Sequence, residues 1–282
     1  MKIGIVGLGL IGGSMAKAYR AYSEETGNEI KIYACNRSRS ILDFAIMSGV
    51  VDSELDAVSI PKCDIIFVSL YPEASIKYME ENSHLFASHT VVMDLCGTKK
   101  QICAVGFDLA KNHGFTFVGG HPMAGTHNSG YKYSKANMFR GAPMVIVPPV
   151  FDDIELLDKV KKMLLPAGFG KFSVTNAADH DRIIAFTSQL AHVVSNAYVK
   201  SPTATVHKGF SAGSYKDMTR VAWLNEVMWT ELFFENKEPL LFELDSIINS
   251  LTEYKSALER GDKEKMQSLL RDGRLAKENI DG

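Results

Sequence analysis

This sequence offers little for metal or disulfide chemistry. Among its 282 residues only Cys35, Cys63, Cys96 and Cys103 are cysteine, and no two are spaced C-x-x-C. That usage excludes a disulfide framework and a structural zinc site, and reads as reduced thiols in a cytoplasmic protein. The eight histidines show no ligand spacing, so no metal is expected. No apolar run reaches the length of a bilayer span. Basic runs are absent and the formal net charge is −2, which makes nucleic acid and membrane poor partners. The start imitates a secretory signal, with Lys2 ahead of an apolar stretch. Five of the eleven residues 3–13 are glycine, however, and glycine that dense weakens the helix a signal core needs.

What remains is an ordinary globular composition, 46% hydrophobic and 23% charged, in a chain long enough for two domains. Up to residue 174, short apolar runs alternate with helical patterns. Strands are expected over 2–6, 29–33, 64–69, 90–94, 115–118, 143–147 and 172–174. Helices are expected over 12–22, 39–47, 72–86, 99–113 and 152–165, with a long polar segment at 119–141. This alternation argues for βαβ units and a doubly wound, mostly parallel α/β sheet of Rossmann type. After Ala177 the strand signals stop, and 178–199, 226–235, 240–258 and 263–270 all read helical. Two domains follow: 1–174, a dinucleotide-binding unit, and 175–282, an all-helical unit for substrate binding and dimerisation. The stretch from Trp223 to Phe234 is apolar on more than one side, which predicts cover by a second subunit, a homodimer.

Gly7-Leu8-Gly9-Leu10-Ile11-Gly12 lies between a strand and a helix. In a dinucleotide site the first glycine makes the tight turn, the second lets backbone approach a pyrophosphate, and the third lets the helix pack on the sheet. The bland reading is a glycine-rich turn that serves packing alone. Asn36, Arg37 and Ser38 after the second strand, and Ser69, Leu70 and Tyr71 after the next, complete the expected cofactor-binding set. No carboxylate follows the second strand, where NAD-binding domains place an acid on the ribose 2′-hydroxyl. Arg37 can instead pair with a 2′-phosphate and Ser38 can donate to it, so NADP is the expected cofactor with NAD tolerated. Alternatively Arg37 is a solvated charge.

The segment Gly120-His121-Pro122-Met123-Ala124-Gly125 follows a strand at the carboxyl edge of the sheet, where open α/β folds bind ligands. A histidine there can take a hydroxyl proton as the attached carbon is oxidised. A turn-capping histidine is the alternative. Asp94-Leu-Cys-Gly-Thr-Lys99, Ser129-Gly130, Ser188-Gln-Leu-Ala-His192 and Tyr215-Lys-Asp-Met-Thr-Arg220, with Trp229 nine residues on, complete a set of motifs. With these the chain resembles the prephenate and arogenate dehydrogenases of tyrosine biosynthesis over nearly its whole length.

The resemblance implies oxidative decarboxylation of prephenate to 4-hydroxyphenylpyruvate, or of arogenate to tyrosine. It implies that His121 takes the ring-hydroxyl proton, that Arg220 binds a substrate carboxylate, and that His192 and Lys216 contact substrate. Without the family, His192 reads as a core histidine and Arg220 as a surface charge. Two departures stand out. Gly97 occupies the place of a serine found in many relatives, which passes its contact to Thr98 or loses it. His127 occupies the place of a glutamate found in some, and could contact an anionic substrate. A 3-hydroxy-acid dehydrogenase shares the plan but needs a lysine in the first long helix of the second domain, and 178–199 holds none. A nucleotide-sensing module without turnover leaves His121 and Arg220 unexplained.

Overall fold

The computed structural model describes residues 1–126 and 128–281. The contact expected of His127 lies outside the described residues. The first half alternates β1 (Lys2–Val6), α1 (Leu10–Thr26), β2 (Lys31–Cys35), α2 (Arg39–Met47) and β3 (Ser53–Glu54). It continues with β4 (Ile65–Val68), α3 (Pro72–Asn82), β5 (Val91–Asp94), α4 (Lys100–His113), β6 (Thr116–Pro122), β7 (Pro143–Val147), α5 (Ile154–Leu164) and β8 (Lys171–Val174). The strands form one eight-stranded sheet in the order β3-β2-β1-β4-β5-β6-β7-β8. All neighbours are parallel except β6 and β7.

The apolar runs form strands because helices cover both faces. Within β4, Ile65 and Phe67 enter one core cluster and Ile66 and Val68 the other. Alternate side chains of one strand thus build two separate cores, which requires a run of apolar residues rather than an alternating one. Pro72 opens α3, where its missing N–H has no helical partner to lose. The order in which strands are added to the sheet reverses between β1 and β4, and this switch point opens a crevice at the carboxyl ends of the strands.

After β8 the chain is helical: α6 (Ala177–Ile184), a π-helical turn Ala185–Leu190, α7 (Ala191–Tyr198), α8 (Gly213–Thr219), α9 (Glu226–Glu235), α10 (Lys237–Arg260) and α11 (Lys263–Asp281). Several elements differ from the sequence expectation: α1 and α11 run longer, over Leu10–Thr26 and Lys263–Asp281, β3 is not among the expected strands, and three further differences bear on the site. The strand expected to end at Val118 runs to Pro122, because antiparallel β7 supplies partners there, with Gly120 opposite Ile146 and His121 opposite Val145. His121 is therefore a strand residue rather than a loop residue. The helix expected over 178–199 is interrupted by the π turn, and 213–219 forms a helix despite its polar pattern. No helix among the described residues is long and apolar enough to cross a membrane.

Candidate functional site

The glycine loop shows three different environments. Gly7 has φ +89°, and a Cβ there would lie 2.6 Å from Leu70 Cδ2. A Cβ on Gly12 would lie 2.0 Å from the Gly7 carbonyl oxygen and 3.0 Å from Ser69 Cβ. Gly9, between them, has open space where its Cβ would point. Gly7 and Gly12 are thus required by the protein itself, whereas Gly9 keeps room for something outside it. Leu8 is a core side chain, while Leu10 and Ile11 form the half-buried first turn of α1. That helix begins at Gly9 with no side-chain cap and no acidic residue in its first turn, so its N–H groups and positive dipole end are free to meet an anion.

Asn36 holds the loop in place: its Oδ1 accepts from Leu8 N at 2.9 Å, and its Nδ2 donates to Ser38 O at 3.1 Å. Ser38 pairs with Ser40 through their hydroxyls. Arg37 is exposed and has no ion pair among the described residues, unlike Arg39, which binds Asp43 and Glu54. Ser69 closes the crevice from the β4 side, and its Oγ is buried without a hydrogen-bond partner among the described residues. Leu70 packs on Gly7, and Tyr71 stands exposed before α3. Open space at Gly9, an uncapped helix N-terminus and an orphaned Ser69 hydroxyl fit a dinucleotide pyrophosphate.

Along the same edge, the β5–α4 loop carries a fully buried ion pair. Lys99 Nζ donates to Asp94 and to the carbonyls of Cys96 and Thr98, both at 2.9 Å. Asp94 also accepts from Cys96 N at 2.9 Å and Gly120 N at 3.3 Å, which ties the loop to β6. Burial pulls the Lys99 ammonium down, but Asp94 and the neighbouring thiols outweigh it and the net direction is upward.

The second half of the chain closes over this loop. Asp181 of α6 accepts from Lys99 N at 2.7 Å and Lys100 N at 2.8 Å, so it caps the start of α4. The same carboxylate meets His180 Nδ1 at 2.7 Å, and His180 Nε2 lies 2.9 Å from His121 Nδ1. His180 and Asp181 are each only 2% exposed. Burial, His180 and Lys99 together hold the His121 imidazole well below its ordinary range, so it is neutral at physiological pH. The sequence reading missed His180 and Asp181. The one available signal was the adjacent His-Asp pair just after the α6 N-cap Asn176.

Helix α9 lies beside them. Glu231 Oε1 accepts from Glu73 N at 2.8 Å, Leu232 approaches Gly97, and Glu235 accepts from the Thr98 hydroxyl. A Cβ on Gly97 would sit 3.3 Å from Leu232 Cδ2, so the missing side chain matches the leucine that faces it. The Thr98 proton is committed to Glu235, which leaves only its oxygen lone pairs for a ligand. Burial raises the Glu235 carboxyl.

His192 and Arg220, two more of the expected residues, lie in a separate cluster with Trp229. His192 Nδ1 donates to Ser188 O at 2.7 Å, since a carbonyl can only accept, and its ring lies against Trp229, centroids 4.1 Å apart and tilted by 32°. Burial lowers its pKa, the bond to Ser188 raises it, and nearby Arg220 lowers it. The π turn shifts the α6–α7 register just before His192, a frequent device at functional sites. Arg220 follows α8 and is exposed, as is Lys216 within α8. Among the described residues no hydrogen bond joins this cluster to His121.

The family model described as prephenate dehydrogenase, nucleotide-binding domain, matches residues 17–172, and that described as prephenate dehydrogenase, dimerization domain, matches 176–272. The chain is 27% identical to a prephenate dehydrogenase of Bacillus subtilis over 285 residues, covering 99% of this chain and 75% of the relative. Its fold is similar to that of Synechocystis arogenate dehydrogenase, with TM-score 0.80 and 26% identity over 99% of this chain and 100% of the other. It is similarly close to an Aquifex aeolicus prephenate dehydrogenase solved with hydroxyphenyl propionate and NAD+, with TM-score 0.80 and 27% identity over 100% and 98%.

The two inner glycines make a testable contrast. Gly12→Ala is expected to cost about 1–3 kcal/mol through overpacking, whereas Gly9→Ala unfolds close to the parent. Thermal unfolding of both variants measures this; equal losses would overturn the assignment of open space to Gly9.

Proposed function

Because the chain belongs to the prephenate dehydrogenase family, we propose that it oxidatively decarboxylates prephenate to 4-hydroxyphenylpyruvate with NAD(P), using His121 as the general base. The observation that carries this reading is His121 itself. Its Nδ1 is engaged by a buried partner while its Nε2 meets no protein group among the described residues, at the ligand-binding edge of the sheet. When bound, the oxidised nicotinamide supplies the hydride acceptor for the ring carbon. The protein's own residues do the rest. His121, half-buried and held below its ordinary range chiefly by desolvation, accepts the ring-hydroxyl proton as the dienol becomes a dienone. Arg220 grips a substrate carboxylate through a guanidinium suited to bidentate contact, with Lys216 adding charge beside it. His192 offers Nε2 to the substrate, its Nδ1 hydrogen being held by Ser188. The lone pairs of Thr98 accept from substrate or cofactor. Loss of the ring carboxylate as CO2 then yields an aromatic ring, which makes the step irreversible.

Arogenate is the second reading, favoured by the equal likeness to an arogenate dehydrogenase structure. Absorbance at 340 nm with each substrate decides between the two. His121→Asn is expected to lower kcat by a factor on the order of 10² to 10⁴, and Arg220→Ala to raise KM roughly ten- to a hundredfold. Wild-type turnover in the first variant would sink the base assignment; an unchanged KM in the second would make Arg220 structural.

The nucleotide loops belong to the proposal as well. Gly7 to Gly12, Asn36, Arg37, Ser38, Ser69, Leu70 and Tyr71 hold the dinucleotide in the domain 1–174. Unpaired Arg37, with no acid after β2, favours NADP over NAD. The ratio of kcat/KM for the two nucleotides is expected to favour NADP and to fall in Arg37→Ala. A wild type that prefers NAD, or a variant with an unaltered ratio, refutes the preference.

We further infer a cytoplasmic homodimer built through 175–282. Phe234 is 73% exposed and Phe242 70%, with Val227, Ile248, Leu251 and Leu258 also exposed on α9 and α10, an apolar surface too extensive for a monomer. Sedimentation is expected to give twice the 31.1 kDa chain mass at micromolar concentration. A species of single chain mass would refute it.

A further inference from the structure

The base reading leaves open how a neutral imidazole presents its lone pair in the right direction and where its proton goes. Asp181 answers the first question. Its two oxygens already accept from Lys99 N and Lys100 N, backbone groups that can only donate. The carboxylate therefore meets His180 Nδ1 as an acceptor, and that nitrogen carries the hydrogen. A neutral His180 then has only a lone pair at Nε2, so the 2.9 Å contact with His121 takes its hydrogen from His121 Nδ1. A neutral imidazole has one N–H. His121 Nε2 is consequently bare, and no protein group among the described residues bonds to it.

We propose that His180, held by Asp181, is a positioning residue that fixes the reactive tautomer of His121 and then receives its proton. This rests on the reading of His121 as the base. The transfer balances without any electron donor or acceptor. The substrate O–H bond breaks as an N–H bond forms at His121 Nε2; the Nδ1–H bond of His121 breaks as one forms at His180 Nε2. His121 ends neutral with its hydrogen on the other nitrogen, and His180 ends as an imidazolium against Asp181.

The surroundings favour that destination. His180 faces Asp181 on its own helix, His121 on β6, and Asp94 and Lys99 on the β5–α4 loop; the Asp181 charge also reaches Cys103 of α4 and Glu235 of α9 and raises both. Burial and Lys99 lower the His180 imidazole, while Asp181 and Asp94 support its charge. His121 is lowered by burial, by His180 and by Lys99, and no carboxylate supports it. The first proton to enter the pair settles on His180, one ring further from the ligand edge. The acidic limb of the pH profile then belongs to the pair and not to His121 alone.

The test uses two substitutions. Gln at 180 can accept from His121 Nδ1 but cannot carry a proton; Leu can do neither. Ring 15N shifts of histidine-labelled enzyme without ligands report the tautomer directly. In the wild type and in His180→Gln, His121 is expected to carry hydrogen on Nδ1, and in His180→Leu to lose that preference. His180→Gln should lower kcat about tenfold or more and move the acidic limb of kcat/KM to lower pH, because only the more strongly depressed His121 can then be protonated. His180→Leu should lower kcat about 10²-fold or more, toward the full worth of a general base. Hydrogen on Nε2 of wild-type His121, or a His180→Gln enzyme with unaltered plateau and limb, overturns the proposal. His121→Asn separates the two ideas: if it retains turnover the base reading fails, and if it collapses while His180→Gln is unaffected only the relay fails. The wild-type tautomer measurement stands even if the leucine variant does not fold.

Discussion

The carboxylate of Asp181 is the constraint from which the rest of the site follows. It stands in the second turn of α6 and reaches back to the first amides of α4, so this side chain joins the helical half to the sheet half. A helix start has free N–H groups and a positive dipole end, and a buried carboxylate placed there is strongly held. Because Asp181 is fixed, His180 is fixed, and through it the His121 ring on β6. Asn236, between α9 and α10, adds to the same junction by donating to Asp181 O at 2.8 Å and Gln189 Oε1 at 2.7 Å. Neither half of the chain alone can present His121 in a defined orientation.

Electrostatics at this junction are arranged in two layers. The Asp94–Lys99 pair is wholly buried, and its members also take hydrogen bonds from Cys96 N and Gly120 N and give them to the Cys96 and Thr98 carbonyls. A desolvated pair is tolerable only when such bonds satisfy both partners. Around it lie two histidines lowered by burial and a carboxyl, Glu235, raised by it. Desolvation thus biases the two imidazoles toward their neutral forms, while the Asp94–Lys99 charges sit wholly buried behind them. A desolvated imidazole accepts a proton more readily when a nearby negative charge stabilises the result, and for His180 that charge is Asp181.

Much of this was legible in the sequence wherever the determining contacts are short in chain distance. The strand–glycine loop–helix unit is contiguous, and its three glycines meet the three environments their spacing implies. Continuous apolar runs such as Ile65–Val68 announced strands covered on both faces. What escaped reading depends on contacts between distant segments. β6 extends through His121 because β7 returns alongside it, which nothing in 116–122 encodes. His180 lies 59 residues from His121, and Glu235 lies 137 from Thr98. Those pairings arise only when the helical half docks, and no periodicity or spacing carries them. The π turn at Ala185–Leu190 was hidden for the opposite reason: its side chains read as an ordinary helix, while its backbone does not.

The contact between Gly97 and Leu232 has a consequence for how this site can change. Position 97 has no side chain, and the leucine methyl that faces it leaves 3.3 Å for a new Cβ. A serine could be accommodated at 97 only if Leu232 withdrew by a few tenths of an ångström. Leu232 in turn accepts from Gln189 Nε2 through its carbonyl, which limits how far its backbone can follow. The two positions are thus epistatic: the effect of either substitution depends on the residue at the other. A side chain gained at 97 would therefore be felt through the packing of α9 on the β5–α4 loop as well as through whatever its new polar group touches.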